Sequence, residues 1–260
     1  MTPTTTQSVR NRLDRVTDPE LDESIVSLGY IDDIEIHESE VRVAFTLPTA
    51  WCSPAFAWMM ATDARDEVET LPGVEEATVF LQEHMHDSEI NRGVKRRLAF
   101  DEVFPDADGG VEAIRATLDD KARLARQFDA IEALLGANLT QEQIAEFRVA
   151  DLTLETQALV FVRGRSVAIP ANPDPLEAYL TKARDTGVLE DDHDELFRTP
   201  EGEPIPVDRF ELVRRRCRLA KVNMGGQESV CDALADARHA ENRPPLSPAD
   251  HIPGKQSSDD

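Results

Sequence analysis

The sequence predicts a mixed α/β fold of the α+β type, in which a small helix–hairpin–helix–strand domain precedes a mainly helical unit with a β-hairpin. Two patterns support this prediction. Strictly alternating apolar residues lie between two helical patterns in the first 83 residues, whereas apolar residues beyond residue 110 recur mostly at helical spacing. A chain of 260 residues is long enough for one large or two small domains.

Four consecutive patterns define the first domain, predicted over residues 8–83. A helical pattern ends at Asp18-Pro19, and alternating residues up to position 47 then predict a hairpin. A second helix is predicted over residues 54–71, where Pro72-Gly73 ends it, and a third strand follows. The apolar positions behind these predictions are Val9, Leu13, Val16, Ile34, Ile36, Val41, Val43, Phe45, Leu47, Phe56, Met60, Ala64, Val68, Leu71, Ala77, Val79 and Leu81.

A polar connector is predicted over residues 84–110, because residues 104–110 are rich in Pro, Asp and Gly. A mainly helical domain of residues 111–243 follows. Its predicted elements are a helix over 111–135, a capped helix over 140–147, a hairpin of Ala158–Val162 with residues 166–169 turned by Arg163-Gly164-Arg165, a helix over 175–183, a solvated acidic loop at 190–195 and two helices over 207–222 and 227–240. The Pro- and Ser-rich residues 244–260 are predicted to be disordered.

The charge balance limits the partners that the protein can have. Asp and Glu number 51 against 28 Lys and Arg, which gives a net charge of −23. This argues against nucleic acid and anionic membranes as partners, and it favours a partner with a basic surface. Two explanations of the acidity stay open, namely adaptation to high salt and an ordinary acidic cytosolic protein.

The cysteine count and the terminal sequence indicate a cytoplasmic protein. Three cysteines do not form a disulfide framework, and at least one thiol must be free. No basic region followed by an apolar run opens the chain, and no stretch approaches the roughly 18 apolar residues of a membrane span.

Cys52 is the first candidate functional residue, because it lies between the end of a predicted strand and the start of a helix. Ser53 fits the N-cap and Pro54 the first helical position, so the positive end of the helix dipole would favour a thiolate at Cys52. The alternative is a small apolar residue packed at the strand end.

Several other residues are weaker candidates. His84 and His86 are alternate residues after the third strand and could face one zinc or iron ion, although two histidines in an acidic loop can also be merely solvated. Asp18 and Glu20 either orient the Cys52 loop or fix a turn.

The two remaining cysteines are predicted to be packed. Leu212, Leu219 and Val222 indicate a buried helical face near Cys217, and Cys231 follows fourteen residues later. The arginines around Cys217 could instead dock an acidic partner segment; they are Arg214, Arg215, Arg216 and Arg218.

Five motifs in the first domain together resemble the MIP18 (DUF59) family. They are Asp18-Pro19-Glu20-Leu21, residues 25–30, the hairpin, residues 46–52 and residues 73–79. The resemblance covers roughly residues 8–83, and the cysteine that marks the family corresponds to Cys52. Many members have Cys-Pro here, whereas this chain has Cys-Ser-Pro, and the cytosolic assembly branch also has Cys-Ser.

The resemblance implies an accessory factor in iron–sulfur cluster assembly or metalloprotein maturation. A cluster generally needs four ligands, so Cys52 alone would bind an iron–sulfur cluster or iron only transiently, and no permanent cofactor is expected. The expected partner is a client metalloprotein or a cluster carrier, and the C-terminal unit would recruit it or form a homo-oligomer. Two alternatives stay open: a non-catalytic protein-binding adaptor and a thiol-dependent enzyme. No supported catalytic constellation or nucleotide-binding motif favours an enzyme.

Overall fold

The computed structural model describes residues 4–107, 110–154, 158–162 and 167–241. These residues form a mixed α/β fold, as predicted. The helices are α1 Thr6–Leu13, α2 Pro54–Glu69, α3 Asp87–Arg96, α4 Phe100–Val103, α5 Val111–Gly136, α6 Gln141–Glu146, α7 Pro173–Asp185 and α8 Phe210–Glu241. The strands are β1 Thr17–Asp18, β2 Glu23–Ser24, β3 Ile31–His37, β4 Glu40–Thr46, β5 Glu76–Gln82, β6 Leu152–Leu154, β7 Ala158–Val162 and β8 Val167–Ala171.

The first unit is built on the sheet of β3, β4 and β5, as the alternating pattern predicts. β3 and β4 form an antiparallel hairpin, and the chain returns through α2 so that β5 pairs with β4 in parallel. Val43 lies opposite Val79, and both side chains are buried in the first core. Parallel strands end at the same edge of a sheet. The segments that follow β4 and β5 therefore start side by side.

The structure differs from the predicted polar connector, because α3 and α4 occupy most of it. Ile90, Val94 and Phe100 from these helices are buried in the first core. Gly93 allows this close packing, since a Cβ atom there would lie 2.5 Å from the Trp58 ring. Charged residues dominate the sequence of α3 and conceal its narrow apolar face. Residues 108–109, within the predicted boundary, lie outside the described residues.

The second unit packs α5, α7 and α8 around a separate core. Ile131, Leu176, Tyr179 and Phe210 are among its buried side chains. The predicted hairpin is confirmed as the antiparallel pair β7 and β8, which β6 extends to three strands. The predicted turn at residues 163–165 and the tail at 244–260 lie outside the described residues.

The predictions for the C-terminal helices are wrong in two respects. α8 runs without a break from Phe210–Glu241, and Gly225 and Gly226 lie within it. A glycine in a helix interior lowers stability by only about 1 kcal/mol relative to alanine, so tertiary packing can stabilise a helix that contains two glycines. The face predicted to be buried is exposed, as Leu212, Leu219 and Val222 are 50%, 61% and 60% exposed.

Ion pairs connect the two units. The carboxylate of Asp22, almost fully buried, lies 2.6 Å from Arg126 Nε of α5 and 3.0 Å from Lys182 Nζ of α7. Arg115 of α5 donates two hydrogen bonds to Asp63 of α2, at 2.8 and 3.0 Å.

In the described part of the chain, no helix has the length and apolar character needed to cross a membrane.

Candidate functional site

Cys52 lies in the segment that connects β4 to α2, directly before the helix. Ser53 occupies the N-cap position and Pro54 begins α2, as predicted, although no backbone N–H of the described residues donates to the Ser53 side chain. The Cys52 thiol is partly exposed, and its Sγ lies 3.1 Å from Thr49 Oγ1. Thr49 can therefore donate a hydrogen bond to a thiolate at this position.

His84 holds the Cys52 segment in place from the end of β5. The backbone N–H of His86 donates to Nδ1 of His84 at 3.1 Å, and Nε2 lies 2.8 Å from the carbonyl oxygen of Cys52. Because Nδ1 accepts a hydrogen bond, this network assigns the ring proton to Nε2, which donates to Cys52. Met85 N–H also donates to the Ala50 carbonyl at 2.8 Å. Two contacts from one strand end thus fix the thiol-bearing segment.

These contacts bear on the predicted metal role of the two histidines. His84 is buried, and both of its ring nitrogens are engaged, so a metal ion would have to displace one of these hydrogen bonds. His86 is partly exposed and packs edge-on against Phe104, with ring centroids 5.6 Å apart. Across the residues that the structure describes, no three His, Cys, Asp or Glu side chains are grouped to hold a metal.

Asp18, at the end of β1, forms a buried turn. Its Oδ1 accepts hydrogen bonds from the N–H groups of Glu20 and Leu21 at 2.9 and 3.2 Å, and its Oδ2 accepts one from Tyr30 at 3.3 Å. Burial raises the pKa of Asp18 above its ordinary value, and these hydrogen bonds partly offset the rise. The turn-forming role considered for Asp18 is therefore the one that its contacts support.

Tyr30 donates a hydrogen bond to Asp18, a contact that sequence reasoning missed. Burial raises the pKa of Tyr30, and the negative charge of Asp18 beside it raises the pKa further. The only sequence indication was that Tyr30 ends one of the motifs of the first domain.

Cys217 and Cys231 differ in their surroundings. Cys217 is fully buried in the second core, as predicted, and burial raises the pKa of its thiol to about 11. Gln127 donates a hydrogen bond to its sulfur at 3.3 Å. Cys231 is partly exposed, which contradicts the prediction that it is packed. Of the nearby arginines, Arg214 pairs with Glu132 at 2.6 Å and Arg216 with Glu201 at 3.3 Å.

Comparison with known proteins identifies the first unit. A family model described as "Iron-sulfur cluster assembly protein" matches residues 6–79, which include Cys52. Uncharacterized protein MJ1129 of Methanocaldococcus jannaschii is 36% identical over 95 residues, which cover 36% of this chain and 97% of that protein. The chain thus matches almost the whole length of the archaeal protein and has a large additional part. The chain belongs to the MIP18 (DUF59) family of iron–sulfur cluster assembly proteins.

Proposed function

We propose that the protein is an accessory factor in iron–sulfur cluster assembly or metalloprotein maturation, which acts through Cys52 and recruits a client protein. The observation that supports this role is the partly exposed thiol directly before the N-terminus of α2. The family consists of assembly or targeting factors and not of known enzymes. A role as a ligand for cargo therefore suits Cys52 better than a role as a catalytic nucleophile.

The residues around Cys52 have distinct tasks in this proposal. The Cys52 thiol loses its proton to solvent, and the resulting thiolate is a soft ligand for iron. Thr49 donates its hydroxyl proton toward the sulfur, while His84 keeps the segment in position through the Cys52 carbonyl. Cargo held by few protein sulfurs can be displaced by the thiolates of a client, so binding would be transient.

An acidic groove beside this site offers a surface for the client. It has a volume of about 680 Å³ and lies on the sheet next to the end of β5. Ala44 contributes apolar surface, and Arg42, which lies over the Phe80 ring, is the one basic residue of the described lining. Five carboxylates also line the groove: Asp32, Asp33, Glu35, Glu83 and Asp87. A client with a basic segment would complement both this groove and the net charge of −23.

A non-catalytic adaptor is the second candidate, and the exposed apolar residues of α8 favour it. Leu212, Leu219, Val222 and Val230 are each at least half exposed on one helix. Such a surface is typical of protein–protein contact sites. In that case the second unit would bind partners or a second copy without any contribution from the thiol.

Substitution of Cys52 by Ser in the full chain separates the two candidates. Serine keeps the size but removes the soft ligand, so proteins that co-purify with the chain should contain less iron when cells carry only this variant. Circular dichroism should show an unchanged fold, and Cys217→Ala serves as the matched control with normal client iron. Normal client iron in the Cys52→Ser cells would favour the adaptor.

A further inference from the structure

The edge of the first sheet at β3 is open. β3 is an outer strand of the sheet β3–β4–β5, and among the strands of the described residues it pairs only with β4. His37 lies opposite Glu40 across the tight turn of the β3–β4 hairpin. From this closing pair onward, residues alternate between those that exchange hydrogen bonds with the partner strand and those that do not. Ile34 and Ile36 are of the second kind, so their backbone N–H and C=O groups point away from β4, toward the open edge.

The opposite edge of the same sheet, at β5, is closed by side chains. The Glu69 carboxylate accepts a hydrogen bond from the Ala77 N–H at 3.2 Å. The Asn91 side chain of α3 accepts a hydrogen bond from the Leu81 N–H at 2.8 Å and donates one to the Leu81 carbonyl at 2.9 Å. A side-chain amide thus takes the place of a neighbouring strand at β5. The backbone groups that face outward from β3 have no such partner among the described residues.

The two sides of the β3 edge differ in their chemistry. On one side, Ile34 and Ile36 pack against the first core but stay partly exposed, so an added strand would cover apolar surface there. On the other side, Asp33 and Glu35 are exposed, and both line the acidic groove. Arg42 is the one cation in the described lining of that groove, against five carboxylates. A strand placed at this edge therefore meets apolar surface on one face and negative charge on the other.

We propose that the client adds a strand to the open edge of β3, through an extended segment in which apolar residues alternate with Lys or Arg. The inference rests on the proposed function and names the class of segment that the client supplies. In this binding mode, backbone hydrogen bonds give affinity and alternate side chains give specificity. The apolar residues would cover Ile34 and Ile36, and the cations would lie beside Asp33 and Glu35. A second copy of β3 fits less well, because its own carboxylates would bring like charges onto the same face.

A synthetic peptide tests the binding mode. The probe is a fluorescent peptide of about eight residues in which valine and arginine alternate, and its anisotropy is followed as the reduced full chain is added. An added strand directs only alternate backbone N–H groups toward its neighbour. N-methylation of one kind of residue, either the valines or the arginines, should therefore abolish binding, while N-methylation of the other kind should have little effect. Equal effects of the two methylations would overturn strand addition.

Charge reversal in the chain tests the location. The double variant Asp33→Lys/Glu35→Lys should bind the peptide at least about tenfold more weakly, because like charges then face each other. Glu177→Lys/Asp185→Lys is the matched control, since both positions are exposed on α7 and the net charge changes by the same amount. It should bind nearly as tightly as the wild type, and circular dichroism should show that both variants are folded. Equal weakening in the two variants would mean that net charge alone attracts the peptide, and it would overturn the site.

The outcomes separate this inference from the proposed function. Cys52→Ser should bind the peptide as the wild type does, because the thiol is not part of the β3 edge. A wild type that does not bind the peptide would overturn strand addition, while the role of Cys52 in client maturation could still hold. Conversely, peptide binding that depends on Asp33 and Glu35, combined with normal client iron in Cys52→Ser cells, would support the docking edge and overturn the proposed function.

Discussion

At the scale of single residues, the three cysteines acquire different chemistry from their surroundings. Cys52 is partly exposed at a helix start, whereas Cys217 is buried and hydrogen-bonded to Gln127. The position of Cys52 could be predicted, because strand alternation and Ser53-Pro54 are local patterns. The contact of the Cys52 carbonyl with His84 could not, because it joins segments that are distant in the sequence.

The first prediction concerns the reactivity of the thiols. Iodoacetamide should label Cys52 fastest and Cys217 slowest near pH 8, since the raised pKa of Cys217, about 11, leaves its buried thiol protonated there. Because the folded-state pKa exceeds the ordinary value of 9.0, this group's contribution to stability is present below pH 9 and is lost as the pH rises through about 11.

Mass spectrometry of labelled peptides measures the three rates. In denaturant, all three cysteines should react alike, which provides the control. Labelling of Cys217 in the folded protein as fast as Cys52 would contradict the burial argument.

The second prediction concerns His84, which supports the Cys52 segment. His84→Ala leaves the Cys52 carbonyl without its donor and should lower the free energy of unfolding by about 1–3 kcal/mol. It should also change the alkylation rate of Cys52, since the segment loses one of its two supports. Urea denaturation and labelling measure both effects.

His37→Ala is the matched control, because the His37 side chain is 68% exposed. It should change the free energy of unfolding by no more than about 0.5 kcal/mol. Equal effects of the two substitutions would mean that the His84 contacts do not support the segment.

At the scale of secondary structure elements, periodic patterns predicted most of the helices and strands. The β3–β4 hairpin, α2, β5, α5 and the β7–β8 hairpin all follow from spacing that is visible in the sequence. α3 was not predicted, because it contributes only two apolar side chains to the core, those of Ile90 and Val94. The continuity of α8 was not predicted, because the low helix propensity of glycine is a weak preference that tertiary contacts override.

Two glycines in helices should respond in opposite ways to substitution by alanine. In Gly93→Ala the new Cβ would lie 2.5 Å from Trp58 and 2.8 Å from Val103, and such overpacking typically costs about 1–3 kcal/mol. A methyl group at Gly226 would have no neighbour within 4 Å among the residues whose side chains are described, so Gly226→Ala should stabilise α8 by up to about 1 kcal/mol.

Urea midpoints of the two variants and the wild type measure these changes. A destabilised Gly226→Ala would indicate that α8 does not continue through this position. An unchanged Gly93→Ala would show that α3 can move away from Trp58 at little cost.

At the scale of the whole molecule, two cores meet through ion pairs. Each unit encloses its own buried cluster, and Asp22 and Asp63 of the first unit pair with cations of the second. Chain length and the boundary-like composition near residue 110 predict two domains, but the identity of these pairs depends on the folded arrangement. The exposed apolar residues of α8 likewise became evident only when its packed face was known.

The final prediction concerns the independence of the first unit. Fragment 1–100 should fold alone, and fragment 1–107 should be more stable because it retains Phe104, whose ring centroid lies 6.5 Å from that of Trp58. Partner binding should require residues 111–243. Circular dichroism and co-purification measure the two properties.

Two results would contradict this division. If both fragments are unfolded, the units form one inseparable domain. If either fragment retains every partner of the full chain, the second unit is not the recruiting element.

The parallel pairing of β4 and β5 has a consequence for the timing of biosynthesis. It brings Cys52 and His84, which are only 32 positions apart, into contact, so this contact can form early as the chain emerges. The end of α8 at Glu241 is made about 160 residues after His84, a delay of roughly 8–30 s at ordinary translation rates. During that interval the Cys52 segment can already be ordered, while the second core is still incomplete.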